Sequence, residues 1–286
     1  MKLVRFSLGS GEPILGVSDG SAVSGIHETL PEAPKSMIDL IGQWGGYSQR
    51  LAGIKEFRWP LKDVHLHAPI ERPGKIFAIG LNYADHAAEG GLPPTTEQIW
   101  FSMPGTAVNG PFDPIQRPVV SERLDYEAEL VVIIGKRGRH FTRENAMDAV
   151  FGYCCGNDVS VRDWQNKTSQ FTLGKSFDTH APFGPWIVTK DSLDASDLAI
   201  ASYVNGERRQ HSRTSHLIFD VIAQIVHLSK AMTLEAGDVL FTGTPAGVAA
   251  VMSPPRWLRH GDVVRVEIEG IGYIENRVMD EVGGDR

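Results

Sequence analysis

A β-rich α+β fold is predicted for this 286-residue chain by three observations. Apolar, strand-like runs outnumber helix-like ones. Glycine (30) and proline (17) punctuate those runs at short intervals. The strands are also not interleaved with one helix each, which disfavours a doubly wound parallel sheet. The expected arrangement is a mixed β-sandwich or roll, with a small N-terminal domain over 1–70 and a larger domain over 71–286.

The first unit opens with Lys2 to Ser7 and Glu12 to Val17, which alternate like hairpin strands around Gly9, Ser10 and Gly11. Met37 to Leu51 has helical spacing, and Trp59 to Lys75, rich in proline and charge, reads as a connector. The second region begins at the short apolar run Lys75 to Gly80. Strands are predicted there over Ala128 to Ile134, Ala181 to Val188, Ile200 to Val204, Val239 to Thr242 and Val263 to Ile268. Helices are predicted over Thr142 to Val150 and Leu217 to Leu228.

The net charge of −7 and the pI near 5.8 leave no basic footprint for nucleic acid. No segment approaches the roughly 20 apolar residues of a membrane span, and no signal-length stretch opens the chain. Cys154 and Cys155 adjoin inside an apolar run, so they read as buried small hydrophobes in a reducing compartment rather than a disulfide framework. Cytoplasm is the expected location.

The most informative segment is Leu124-Asp125-Tyr126-Glu127-Ala128-Glu129-Leu130, which leads into the apolar run 130–134. Residues i and i+2 of a strand share a face, so Glu127 and Glu129 point the same way. Isolated pairs of this kind are usually solvated. A second apolar run, Tyr153 to Asn157, also ends on an acid, Asp158, 29 residues after Glu129 and after a predicted strand, helix and strand. Three crowded carboxylates resist ionisation unless a cation is present, and an all-oxygen set suits Mg²⁺ or Mn²⁺ better than zinc.

Three further segments could serve such a centre. A short helix over Tyr83 to Glu89 would put His86 and Glu89 on one face, where the carboxylate can orient the imidazole as a base; Gly90 and Gly91 behind it suit a mobile lid. Lys175, in Gly174-Lys175-Ser176-Phe177-Asp178, could supply the positive charge an anionic substrate needs in an acidic protein. The turn Thr242-Gly243-Thr244-Pro245-Ala246-Gly247 offers amides and the Thr244 hydroxyl for a carboxylate.

Taken together, N-Y-A-D-H-A-A-E, D-Y-E-A-E-L, G-N-D-V-S-V-R-D-W-Q, G-K-S-F-D and F-T-G-T-P-A-G-V resemble the fumarylacetoacetate hydrolase family over roughly Lys75 to Val278. The resemblance implies a β-rich catalytic fold, a Mg²⁺ or Mn²⁺ centre and a homodimer. It places the metal ligands on Glu127, Glu129 and Asp158 and a catalytic His-Glu pair on His86 and Glu89. Substrate contacts fall on Gln165, Lys175 and Thr244. Leu81 stands where many smaller members carry arginine, so a cationic contact of theirs is missing here.

The activity expected from this resemblance is metal-dependent hydrolysis of a C–C bond in a small anionic 2,4-dioxo acid, an acylpyruvate or a 2,4-diketo-3-deoxy sugar acid. His86 would activate water and Lys175 would add positive charge where the enolate forms. Decarboxylation or isomerisation of a 2-oxo acid of the oxaloacetate or 2-hydroxyhepta-2,4-diene-1,7-dioate type uses the same enolate and is the alternative. A metal-binding homologue without catalysis is the remaining one, disfavoured because a pure binder needs no base.

Overall fold

Strand Ala128–Ile134 is the centre of the molecule, and every one of its residues is buried. The even positions Ala128, Leu130, Val132 and Ile134 face one core and the odd positions Val131 and Ile133 face another. Both faces are covered, so the run can be apolar throughout. The computed structural model describes residues 1–89, 91 and 95–282.

Two sheets carry the fold. The larger has twelve strands, and within it Ala128–Ile134 lies between Val150–Asn157 and Val239–Phe241, antiparallel to both. The smaller has five, ordered Glu207–Arg213, Ala199–Val204, Val263–Ile268, Gly272–Asp280, Ile115–Arg117. Ile200, Val266, Ile268 and Ile274 of the smaller sheet share one core with the even face of the central strand and with Ile225 and Leu228 of helix Val221–Ala231. On the other face of the large sheet, Met37, Leu40 and Ile41 cover Val131, Ile133 and Cys154. The sheet-rich α+β class expected from the sequence is the class observed, with few helices.

Several elements differ from expectation. The Met37-to-Leu51 helix is two, Met37–Gly42 and Trp44–Ala52, broken at Gln43. Gly42, Gly45 and Gly46 weaken a continuous helix there. Thr142 to Val150 is not a helix: only Ala146–Ala149 forms a 3-10 turn. The Asn145 side chain accepts from the Thr142 amide, closing a local turn that competes with helix. The second helix begins four residues later than predicted, at Val221, where the Asp220 carboxylate caps the Ala223 amide. The 59–75 connector contributes strands: Trp59–Pro60 pairs with Ala22–Gly25, and His65–His67 pairs with Lys2–Ser7.

The Lys2–Ser7 and Ile14–Ser18 hairpin forms, and its first strand also pairs with Ala181–Thr189 through Lys2↔Val188 and Leu3↔Ile187. The 1–70 unit is thus joined edge-on to the large sheet. We propose that the chain divides into two units near residue 70. Glu71, Arg72 and Gly74 are exposed, so limited proteolysis should cut at 71–74 before cutting either unit; first cleavage inside 1–70 would remove the division.

Cross-strand packing leaves no room beside Glu129. Gly156 is its partner across the sheet, and a Cβ there would run into Val131 Cγ2 and stand 2.7 Å from Phe241 Cε1. Gly156→Ala should therefore destabilise the fold by about 1–3 kcal/mol, the usual cost of overpacking, read as a lowered Tm. An unchanged Tm would mean that the two strands can spread at no cost.

Candidate metal centre and active site

Glu127 and Glu129 stand at the N-terminal mouth of the central strand, on the same side as Val131 and Ile133. Asp158 follows the end of neighbouring strand Val150–Asn157, and its amide donates to the Glu127 carbonyl at 2.9 Å. The antiparallel pairing Ala128↔Asn157 thus delivers the third acid beside the first two. One carboxylate oxygen from each lies within 4.8 Å of the others, and all three residues are buried. The Asn157 side chain fixes the approach by accepting from the Glu127 amide at 2.9 Å.

Two buried cations answer these acids. Lys175 Nζ donates to Glu127 Oε2 at 2.7 Å and to Asp158 Oδ2 at 2.8 Å. Arg162 reaches Glu127 Oε1 at 2.7 Å and Asp125 Oδ2 at 2.8 Å, and its Nη1 also donates to Gln165 Oε1 at 2.9 Å. Among the described residues Glu129 has no such partner; its Oε2 accepts from the Gly243 amide at 2.6 Å.

The electrostatics divide accordingly. Burial alone would raise the carboxyl of Glu127, but Lys175, Arg162 and His86 together bring it down to about 2. Burial, with Asp158 and Glu127 nearby, holds Glu129 well above the usual carboxylate range. Burial pushes Asp158 up to about 7 against the pull of Lys175. Burial also disfavours the Lys175 ammonium, yet Asp158 and Glu127 outweigh it and raise its pKa. Lys175 is a fixed cation and not a base.

These residues fit a divalent ion on two grounds. Asp158 Oδ1 is buried with no hydrogen-bond partner among the described residues. Four buried carboxylates, Asp125, Glu127, Glu129 and Asp158, face two buried cations, Lys175 and Arg162. The remainder, when all are ionised, is the charge of one divalent cation, and the donors are hard oxygens.

The other expected residues lie around the same space. His86, Glu127, Arg162, Gln165, Lys175 and Thr244 line a cavity of about 230 Å³, whose remaining wall includes Leu81, Phe101 and Phe171. His86 is on helix Ala84–Glu89, and its Nδ1 lies 3.7 Å from Glu89 Oε2, close but beyond hydrogen-bond length. Glu89 instead accepts from the Gly247 amide at 2.9 and 3.1 Å. Gly243 and Gly247 therefore spend their amides on protein carboxylates, and the Thr244 hydroxyl is still among the turn's expected carboxylate donors. Leu81 lies on the apolar wall in a left-handed backbone conformation, φ +56°. Gly91 is described; Gly90, the other glycine of the expected lid, lies outside the described residues.

Several residues that build the site were not singled out from the sequence. Asp125 accepts from Arg162, Tyr126, Ala249 and Ala250 at once. Asn82 ties down helix Ala84–Glu89, the cap helix beside the cavity, by donating to the Phe219 and Thr242 carbonyls and accepting from the Phe219 amide. Asn82, Asp125, Asn157 and Arg162 all sit in the motifs given above, and that membership is the signal that could have found them. Gln210, far away in sequence, had no signal.

Residues 75–279 match the family described as fumarylacetoacetate (FAA) hydrolase C-terminal. The chain belongs to the fumarylacetoacetate hydrolase family. It is 40% identical to a mitochondrial oxaloacetate tautomerase of Xenopus laevis, over 98% of this chain and 90% of that protein. The fumarylacetoacetate hydrolase of Exiguobacterium antarcticum superposes with a TM-score of 0.84 at 39% identity, over 98% of this chain and 100% of that one. Maleylpyruvate hydrolase from Sphingobium sp. SYK-6, solved with manganese(II) and pyruvate, superposes with a TM-score of 0.82 at 34% identity, over 99% and 100%. A manganese-bearing relative and the buried acidic triad together support a divalent-metal centre of the Mg²⁺/Mn²⁺ type. No helix among the described residues is long and apolar enough to cross a membrane.

The acids give a pH test. A raised carboxyl keeps its proton in the folded state where the unfolded chain has lost it, so its contribution to stability falls as pH rises through that window. For Asp158 the window runs from 3.8 to about 7. In the presence of a chelator, Tm should fall between pH 5 and pH 7.5, and Mn²⁺ should restore it. Asp158→Asn should make the fall shallower, leaving the part owed to the raised carboxyl of Glu129. The same pH slope in that variant as in wild type would reject the assignment.

Proposed function

We propose that this chain is a divalent-metal-dependent enzyme that enolises small 2-oxo acids, with oxaloacetate as the substrate to test first. The observation that carries the reading is the small cavity into which a base, His86, and two cations, Lys175 and Arg162, converge beside the acidic triad. The resemblance of nearly the whole chain to an oxaloacetate tautomerase supports it. This reverses the order expected from the motifs, which put C–C hydrolysis first.

Glu127, Glu129 and Asp158 would hold the cation, which supplies Lewis-acid polarisation of a 2-oxo group when bound. Tautomerisation moves one proton between C3 and the 2-oxygen. His86 would take the proton at one position and return it at the other, with Glu89 turning toward its Nδ1 to hold the ring. Lys175, locked as an ammonium by Glu127 and Asp158, adds positive charge where the enolate carries its negative charge. Gln165 and Thr244, which line the same cavity, would orient the substrate's oxygens. No water is consumed.

A second reading, hydrolysis of a 2,4-dioxo acid to pyruvate and a second acid, is favoured by the His86-Glu89 pair, which could equally activate water, and by the similarity to maleylpyruvate hydrolase. The deciding assay follows oxaloacetate enol by its ultraviolet absorbance and pyruvate release from an acylpyruvate, each with and without chelator. Tautomerisation should dominate, vanish with chelator above the metal-only control, and drop at least about a hundredfold in His86→Ala. Faster pyruvate release than tautomerisation would promote the second reading. Full activity in chelated enzyme would sink both.

A further inference from the structure

Gln210 lies on strand Glu207–Arg213 of the smaller sheet, yet its side chain is buried at the active centre of the larger one. Its Oε1 accepts from the Ala128 amide at 2.9 Å, between Glu127 and Glu129, and from Ser202 Oγ at 2.9 Å. Its Nε2 donates to the Pro245 carbonyl at 2.8 Å and to Thr244 Oγ1 at 2.7 Å. One amide thus ties the strand bearing two acids of the triad to the turn bearing Thr244.

The two ends of an amide look alike, but here their directions are forced. A backbone N–H can only donate and a backbone carbonyl can only accept. Ala128 therefore fixes the oxygen end and Pro245 the nitrogen end. Nε2 has two protons, one for Pro245 and one for Thr244, so the Thr244 hydroxyl must accept. Its own proton is then directed elsewhere, and among the described residues it donates to none. Thr244 lines the cavity.

We infer that Gln210 is a positioning residue that sets Thr244 as a hydrogen-bond donor to an acceptor-only oxygen, a carboxylate or keto oxygen of the bound 2-oxo acid. The inference rests on the reading of this site as a 2-oxo acid site and adds to it the device that orients its hydroxyl. Ser202 supports the amide without setting its direction, because Ala128 and Pro245 already do so.

The test uses pyruvate as the simplest 2-oxo acid and titrates it calorimetrically into Mn²⁺-loaded protein. Thr244→Val should weaken pyruvate binding about tenfold or more, the scale of a hydrogen bond to a charged acceptor. Gln210→Met should weaken it similarly, and the double variant should be no weaker than either single one. Ser202→Ala should keep pyruvate affinity within about twofold while lowering Tm. Circular dichroism checks folding; should Gln210→Met not fold, Gln210→Asn, one methylene too short to span Ala128 and Pro245, replaces it. Additive losses, or a Gln210 variant with wild-type affinity, would overturn the inference. Pyruvate bound by wild type with no dependence on Thr244 would remove the inference alone, whereas no pyruvate binding by wild type would remove the reading of the site with it.

Discussion

Burying like charges together is the constraint on which this structure turns. Two carboxylates about 4 Å apart repel by about 4 kcal/mol at an effective dielectric near 20, and the desolvation of each adds to that. The protein meets the cost unevenly. Glu127 takes both cations, Asp158 shares one, and Glu129 is left with a single backbone amide. That imbalance is what makes the site a cation trap, since the acids least compensated by protein gain most from a metal.

The same constraint explains the roles of the surrounding backbone. Asp125 is satisfied by one side chain and three amides, so it can anchor Arg162 without seeking a metal of its own. The turn after strand Val239–Phe241 gives Gly243 to Glu129 and Gly247 to Glu89. Gly247 can hold that place only as glycine: its φ is +109°, and a Cβ would run into the Arg209 carbonyl. Its own carbonyl accepts from Tyr126 at 2.9 Å. A single turn therefore links the triad, the cap helix and the smaller sheet.

The cap helix is held at both ends, with His86 between them. Asn82 clamps its start to the Phe219 segment and the Thr242 carbonyl, while Glu89 grips Gly247 at its end. His86 lines the cavity, and its Nδ1 has no hydrogen-bond partner among the described residues. Glu89 lies beside an amide and an imidazole at once, with the Gly247 amide within hydrogen-bond length and the His86 ring 3.7 Å away.

The amino-acid sequence alone determined the features that depend on short-range geometry. Alternation of side chains along a strand put Glu127 and Glu129 on one face, and the apolar runs marked the central strands Ala128–Ile134 and Val263–Ile268 with their observed bounds. The family resemblance, and not local geometry, pointed to Lys175, Gln165 and Thr244 near the triad. Local competition hid other elements: the Asn145 side chain undid a predicted helix, and glycines at 42, 45 and 46 divided another. Tertiary structure decided everything that needed a partner distant along the chain. It paired His65–His67 with the first strand, aimed Arg162 at two acids, turned the amides of Gly243 and Gly247 toward carboxylates, and brought Gln210 across from the second sheet. The reason is physical: a buried polar group must find a partner, but which one it finds is fixed only when the sheets close around it.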